Sequence, residues 1–496
     1  MIYLEVKPEE FKSTCLKLHK ELHSPVMMLF VDDERIEQGG YFIYCAFLSF
    51  KEQQWSWVKT RLPADNPVFD SIAKEIYSAN LFEREIKEMF GLEPLGNPDN
   101  RRLRLHDEVW PEGHFPLRKD FSGANAGGRV GEYSAGQVFG EGIFEVPVGP
   151  VHAGIIGPGH FCFSVAGEPI IKLSTRFGFT HRGIEKLLEN KLPDEGVALA
   201  ERVSGDSSLA QAQAFCRAIE NISKLIVPER ALYLRAIFLE LERMYNHISS
   251  IGGMAIDVGF SFPAALCSII KEALQALNDR LVGSRFLKGA VAIGGCRDIK
   301  EGDKKLIIDS LAIIMADFSE VRKMLLTSVS FMDRVDTTGR LSLENAENLG
   351  VLGMAGRASG LAVDLRDNIY PYSAAGFKMM VRNEGDVLAR LIIRLDEFEE
   401  SGRLIQELLD KLPKGETMSQ PGKYSQGSGL GAVEGARGPV LYWARLNNEG
   451  RIVRCKIVDP SFRNWTGLSL AVLENIVPDF PVCNKSFDLS YAGNDL

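Results

Sequence analysis

Apolar residues change their spacing along the chain, and the changes divide it. Up to about residue 121, β-rich runs such as GGYFIYCAFLSF (39–50) alternate with stretches of helical spacing such as FDSIAKEIYSANLFEREIKEMFG (69–91). That mixture predicts a small α/β domain. The next stretch, SGANAGGRVGEYSAGQVFGEG (122–142), is small, polar and glycine-rich, and predicts a linker. From residue 143 the pattern reads as strands with turns, and after residue 184 it becomes helical. Leu209, Ala212, Cys216, Ile219, Ile222 and Ile226 recur at three- and four-residue steps, which predicts one buried helical stripe. Ser208 and Gln211 have the spacing of a capping box, so this helix should begin within ERVSGDSSLAQAQAFCRAIE (201–220).

Pro228 separates it from a second long helix, expected to end at the paired Gly252 and Gly253. Further helical patterns cover roughly 263–283, 301–327 and 382–411. The fold class is therefore α+β, with an α/β domain at 1–121, a linker at 122–142, and a mainly helical bundle with a small β element at 143–496. One stretch, SQPGKYSQGSGLGAVEGARG (419–438), lacks the GxxxxGK[ST] of a phosphate loop and predicts a flexible loop.

Composition narrows the function classes. A net charge of -9 leaves no basic footprint, which argues against nucleic acid. None of the eight Cys forms a CxxC pair, so a zinc ribbon, a cluster-binding motif and a disulfide framework are not expected. No window reaches the ~20 apolar residues of a membrane span. The start MIYLEVKPEEFKSTC lacks the charged and apolar regions of a signal peptide.

The candidate chemistry is short. His152, His160, His181, Arg182 and Glu185 lie in a stretch dense in polar groups beside turns, with no pair at the helical spacing of metal ligands. Ser204, Asp206, Ser207 and Ser208 cluster at the predicted helix start, where helix capping alone is one account and an anion or ligand site is another. Arg437 stands on the glycine-rich stretch.

Two sets of motifs then carry a resemblance over nearly the whole chain. FEREIKEMFGLEPLGNPDNRRL (82–103) and HFPLRKDF (114–121) resemble the small peripheral subunit of complex I. GPVH (149–152), FGFTHRGIEKLLE (177–189), FLELERMYNHI (238–248), IGGCRDI (293–299) and LGVLGMAGRASGLAVDLR (349–366) resemble its quinone-site subunit. They equally resemble the large subunits of membrane-bound energy-converting nickel-iron hydrogenases. Fusion of the two in one chain is similar to formate hydrogenlyase-type large subunits.

In the hydrogenase relatives, the resemblance places two pairs of nickel-binding cysteines at positions held here by Ser204 and Ser207 and, with Asp488 as anchor, by Ser490 and Gly493. A protonated hydroxyl is a hard donor and does not replace a bridging thiolate. The resemblance therefore implies no metal bound by this chain and no trimming of the terminus after metal insertion. The Tyr and His that hold a quinone headgroup in complex I match Gly205 and Ile156, so those ligands are also missing. What remains is a cavity lined by Ser204, Gly205, Asp206, Ser207, Arg437, Asp488, Ser490 and Gly493, with His152, His160, His181, Arg182 and Glu185 as entrance or coupling candidates. Asp206 and Arg437 would form an ion pair if the fold brings them together.

By resemblance the chain is a peripheral subunit on the cytoplasmic side of the membrane. It would work with a small iron-sulfur subunit, a ferredoxin-like subunit and integral ion-translocating subunits. It would bind no cofactor of its own, the iron-sulfur cluster being the partner's, and would pass electrons to a quinone or another small acceptor. Two alternatives stay open, a non-catalytic coupling subunit and a hydrogenase with an altered metal site.

Overall fold

The computed structural model describes residues 2–123, 131–133, 136, 138–152, 156–420 and 422–496. The expected linker thus lies in part outside the described residues. The N-terminal part holds β1 (Ile2–Val6), α1 (Pro8–Leu22), β2 (Met28–Glu34), β3 (Gly40–Ser49), β4 (Gln54–Pro63) and α2 (Asn80–Phe90). The strands form one sheet in the order β1-β4-β3-β2, with β1 parallel to β4 and the other pairs antiparallel. Every residue of β2 and β3 is buried, which explains why β3 reads as an apolar run without alternation, while β2 buries the acidic Asp32, Asp33 and Glu34 at its end.

From residue 143, β5 (Ile143–Val148), β6 (His160–Ala166) and β7 (Ile170–Arg176) form an antiparallel sheet. The bundle follows as α3 (Ser208–Ser223), α4 (Glu229–Asp257), α5 (Ser261–Val282), α6 (Asp303–Thr327) and α7 (Val387–Asp410). A third sheet, β8 (Gly427–Gly435), β9 (Gly438–Leu446) and β10 (Ile452–Val458), leads into α8 (Pro460–Ala471), α9 (Phe480–Phe487) and α10 (Tyr491–Asp495). Among the described residues no helix is long and apolar enough to cross a membrane.

Four expectations are corrected here. The stretch from Gly427 to Gly438 is no flexible loop but strand β8 and its tight turn into β9. Its glycines let the strand lie directly on α3. A Cβ on Gly431 would come 1.9 Å from the Ala214 carbonyl oxygen, and one on Gly429 would come 2.5 Å from that of Ala218. The paired Gly252 and Gly253 do not end α4, which continues to Asp257. Gly252 instead admits Cys267 of α5, 2.8 Å from where a Cβ would stand.

Lys224 ends α3 in a left-handed conformation, so Ile226 falls beyond the helix and is exposed, while Leu209, Ala212, Cys216, Ile219 and Ile222 form the buried stripe. The capping box of Ser208 and Gln211 is absent. The N-cap is Ser207 with no side-chain cap bond, and the carboxylate of Glu242 on α4 accepts from the N–H groups of Leu209 and Ala210 at 2.7 and 3.0 Å.

The two parts share a core. Trp443 of β9 packs on Phe30 and Tyr44 with ring centroids 4.8 and 5.2 Å apart, and Phe462 of α8 meets Phe82 of α2 at 5.2 Å. Around these rings, Arg445 pairs with Asp32 and Lys456 with Glu85, both at 2.5 Å.

Candidate functional site

Four separate pieces of chain build one cavity: the loop before β6 at Ile156 and Gly157, the turn before α3, the β8–β9 turn, and the stretch from the end of α9 into α10. Its volume is about 270 Å³, and its wall includes Ser204, Gly205, Asp206, Arg437, Lys485, Asp488 and Ser490. Arg437 stands at its centre because the tight turn between Gly435 and Gly438 leaves only two residues to face α3. Gly353 packs against that turn so closely that a Cβ would lie 2.3 Å from the Arg437 carbonyl oxygen.

The guanidinium bridges the turn before α3 and the end of α9. It donates to both carboxylate oxygens of Asp206 at 3.1 and 2.7 Å, to the Ser207 hydroxyl at 2.9 Å, and to the Asp488 carboxylate at 3.1 Å. Its Nε–H donates to the Asp488 carbonyl. Burial disfavours the charge on Asp206, but Arg437 and the hydrogen bonds from it and from Ser204 outweigh this and hold the carboxyl down to about 2. Asp488 is likewise lowered against burial, by Arg437, Lys485 and Arg394, and it accepts from the Ser250 hydroxyl at 2.7 Å. Arg437 is raised in turn, its burial outweighed by the two aspartates.

The hydroxyls form a second layer. Ser204 donates to Asp206 at 2.9 Å and lies 2.8 Å from the Ser490 hydroxyl. Ser490 also caps α10 by accepting from the Gly493 N–H at 2.9 Å, and its own N–H donates to the Ser461 hydroxyl at 2.9 Å. Gly493 is sterically closed, since a Cβ there would stand 2.6 Å from the carboxylate of Asp459. That carboxylate is buried, accepts from Gln211 at 2.7 Å, and is raised by its burial. Around Gly205 nothing lies within 4 Å of an added Cβ. Among the described residues no group of three or more His, Cys, Asp or Glu side chains is placed to hold a metal ion.

Six of the eight cavity candidates thus line one cavity, with Ser207 bonded to Arg437 at its edge and Gly493 bonded to Ser490 beneath the wall. The entrance candidates are dispersed. His152 bonds the Gly159 carbonyl through Nε2 at 2.7 Å, and the buried Nδ1 of His160 has no hydrogen-bond partner. His181 bonds the Asp495 carbonyl at 2.7 Å, and Arg182 donates to the carbonyls of Arg202, Val203 and Ala492. Glu185 does not line the cavity. It is buried, pairs with Arg454 at 2.7 Å and Lys456 at 3.3 Å, and has a lowered pKa because those cations outweigh its burial.

Sequence reasoning missed Asp459, Ser250, Asn484, Lys485 and Tyr491, and read Gln211 only as a capping partner. Only Asp459 carried a signal, the Asp-Pro step that starts a helix.

Two family models match separate parts of the chain. A family model described as respiratory-chain NADH dehydrogenase, 30 Kd subunit, matches residues 4–126, and one described as the 49 Kd subunit matches residues 257–428. Hydrogenase-4 component G of Escherichia coli is 32% identical over 94% of this chain and 83% of its own length. Formate hydrogenlyase subunit 5 of the same organism is 32% identical over 94% and 84%. The fused C/D protein of the NADH-quinone oxidoreductase of Bacteroides fragilis is 30% identical over 75% of each chain. A chain from the structure of the membrane-bound sulfane sulfur reductase, an archaeal respiratory membrane complex, superposes with a TM-score of 0.68. At 24% identity it covers 73% of this chain and 100% of its own, and shares the fold.

Proposed function

The chain belongs to the family of hydrogenase-4 component G, formate hydrogenlyase subunit 5 and the fused C/D proteins of NADH-quinone oxidoreductases, and from that premise we propose that it is a peripheral subunit of a membrane-bound oxidoreductase complex. Its cavity lies beside the iron-sulfur cluster of a small partner subunit. It receives a quinone or other compact acceptor for electron transfer coupled to ion translocation, and it holds no nickel-iron centre.

The observation that carries this reading is the chemistry of the four positions where the hydrogenases place thiolates. Ser204 and Ser490 hydrogen-bond each other, Ser207 accepts from Arg437, and Gly493 has no room for a side chain. A nickel-iron centre needs soft anionic donors there, and these residues do not fit it. They fit a polar ligand, because carboxylate, hydroxyl and ammonium groups converge on a space near the lower end of small-ligand pockets, roughly 300 Å³.

A second reading, a coupling subunit without a substrate, is favoured by how completely Arg437 is engaged within the protein. Metal analysis of the purified complex tests the first part of the proposal. Iron without nickel is expected, and nickel near one per chain would overturn it. Turnover of the assembled complex carrying Asp206→Asn separates the two readings, being crippled under the first and near normal under the second.

A further inference from the structure

Most of the polar wall of the cavity is satisfied from within the protein. All five N–H groups of Arg437 are engaged, so the guanidinium reaches a ligand only by giving up Asp206, Ser207 or Asp488. The Ser204 hydroxyl is held between Asp206 and Ser490. Asn484 donates to the Tyr491 hydroxyl at 3.3 Å.

Lys485 differs. Its Nζ lies 3.7 Å from the nearest oxygen of Asp488, beyond hydrogen-bond reach, and it makes no hydrogen bond among the described residues. An ammonium offers three donors. Lys485 stands one helical turn before Asp488 and lines the cavity.

The path of the side chain is built into α4. A Cβ on Gly253 would stand 2.7 Å from the Lys485 Cδ, 2.9 Å from its Cγ and 3.0 Å from its Cε. Glycine inside a long helix is disfavoured by propensity, and here it opens the groove along which the lysine stem runs. Asp257, one turn further along α4, is within electrostatic reach of the same ammonium. The cation is therefore steered by two carboxylates and fastened to neither.

We propose that Lys485, and not Arg437, is the cation that contacts the acceptor, binding the electronegative oxygen at the reducible end of a compact ligand. Arg437 is a positioning residue that fixes Asp206 and Asp488. This rests on the reading of the cavity as an acceptor site.

The test is steady-state reduction of a tail-less benzoquinone by the purified complex, with a reduced low-potential ferredoxin as donor and the rate of the two without the complex subtracted. Lys485→Met is expected to raise KM about tenfold with kcat nearly unchanged, the signature of lost ground-state binding. Lys485→Arg should recover much of the affinity. Gly253→Ala keeps the lysine, favours the helix and displaces the stem, so it should raise KM as well. Unchanged KM in Lys485→Met, or loss of kcat alone, overturns the role of Lys485, while inactivity of Asp206→Asn in the same assay leaves the acceptor reading standing. A wild-type complex that does not reduce the benzoquinone, or an assembled Asp206→Asn complex with normal turnover, overturns the acceptor reading and this inference with it.

Discussion

Asp206 is the residue on which the cavity turns, because it ties Arg437 to the start of α3. Its backbone carbonyl is held as well, accepting from the Tyr245 hydroxyl and the Asn246 side chain at 2.8 Å each. With the carboxyl held at about 2 instead of 3.8, its ion pair contributes fully above the ordinary aspartate range and is lost only as pH falls through that window. Turnover of the complex between pH 5 and 8 should therefore show no inflection from this pair, which a pH–rate profile checks. Asp206→Asn should lower turnover roughly 10- to 100-fold, the scale of a lost charged hydrogen bond of ~1.5–3 kcal/mol. The pairing of Asp206 with Arg437 could be posed from residue types alone. Whether they touch depended on a turn more than two hundred residues away.

At the scale of elements, the placing of Arg437 depends on how closely β8 approaches α3. Gly429 and Gly431 bring the strand onto the helix backbone at the carbonyls of Ala218 and Ala214, and the turn at its end then reaches the first turn of α3. Gly431→Ala should force the two apart and cost about 2–3 kcal/mol or more, visible as a lowered Tm. The same element explains why a glycine-rich stretch was misread. Glycine density marks both loops and strands that something approaches closely, and only the neighbour distinguishes them. The far wall is held by α7, where Arg394 donates to the carbonyls of Ser486 and Phe487 at 3.0 Å each, fixing the end of α9 just before Asp488 turns into a left-handed conformation.

At the scale of the whole molecule, the N-terminal part and the part from residue 143 form one interlocked body. Trp443 stacks into the N-terminal sheet, and Lys456 joins Glu85 of one part to Glu185 of the other. Residues 1–121 and 143–496 expressed as separate chains should therefore co-purify as a stable pair. Size-exclusion chromatography checks this, and separate elution would show that the shared core does not hold them.

The sequence by itself determined the α+β class, the start of α3, the long helices, and the identity of the residues that could line a cavity. Those follow from local period and motif order, which a linear chain carries. Tertiary structure alone decided that β8 is a strand, that Gly253 is a groove for Lys485, and that Gly493 is closed by Asp459. It also decided that Glu185 belongs to an ion cluster outside the cavity wall. Each of these depends on what the fold brings against a residue from elsewhere in the chain, and periodicity along one segment does not encode that neighbour.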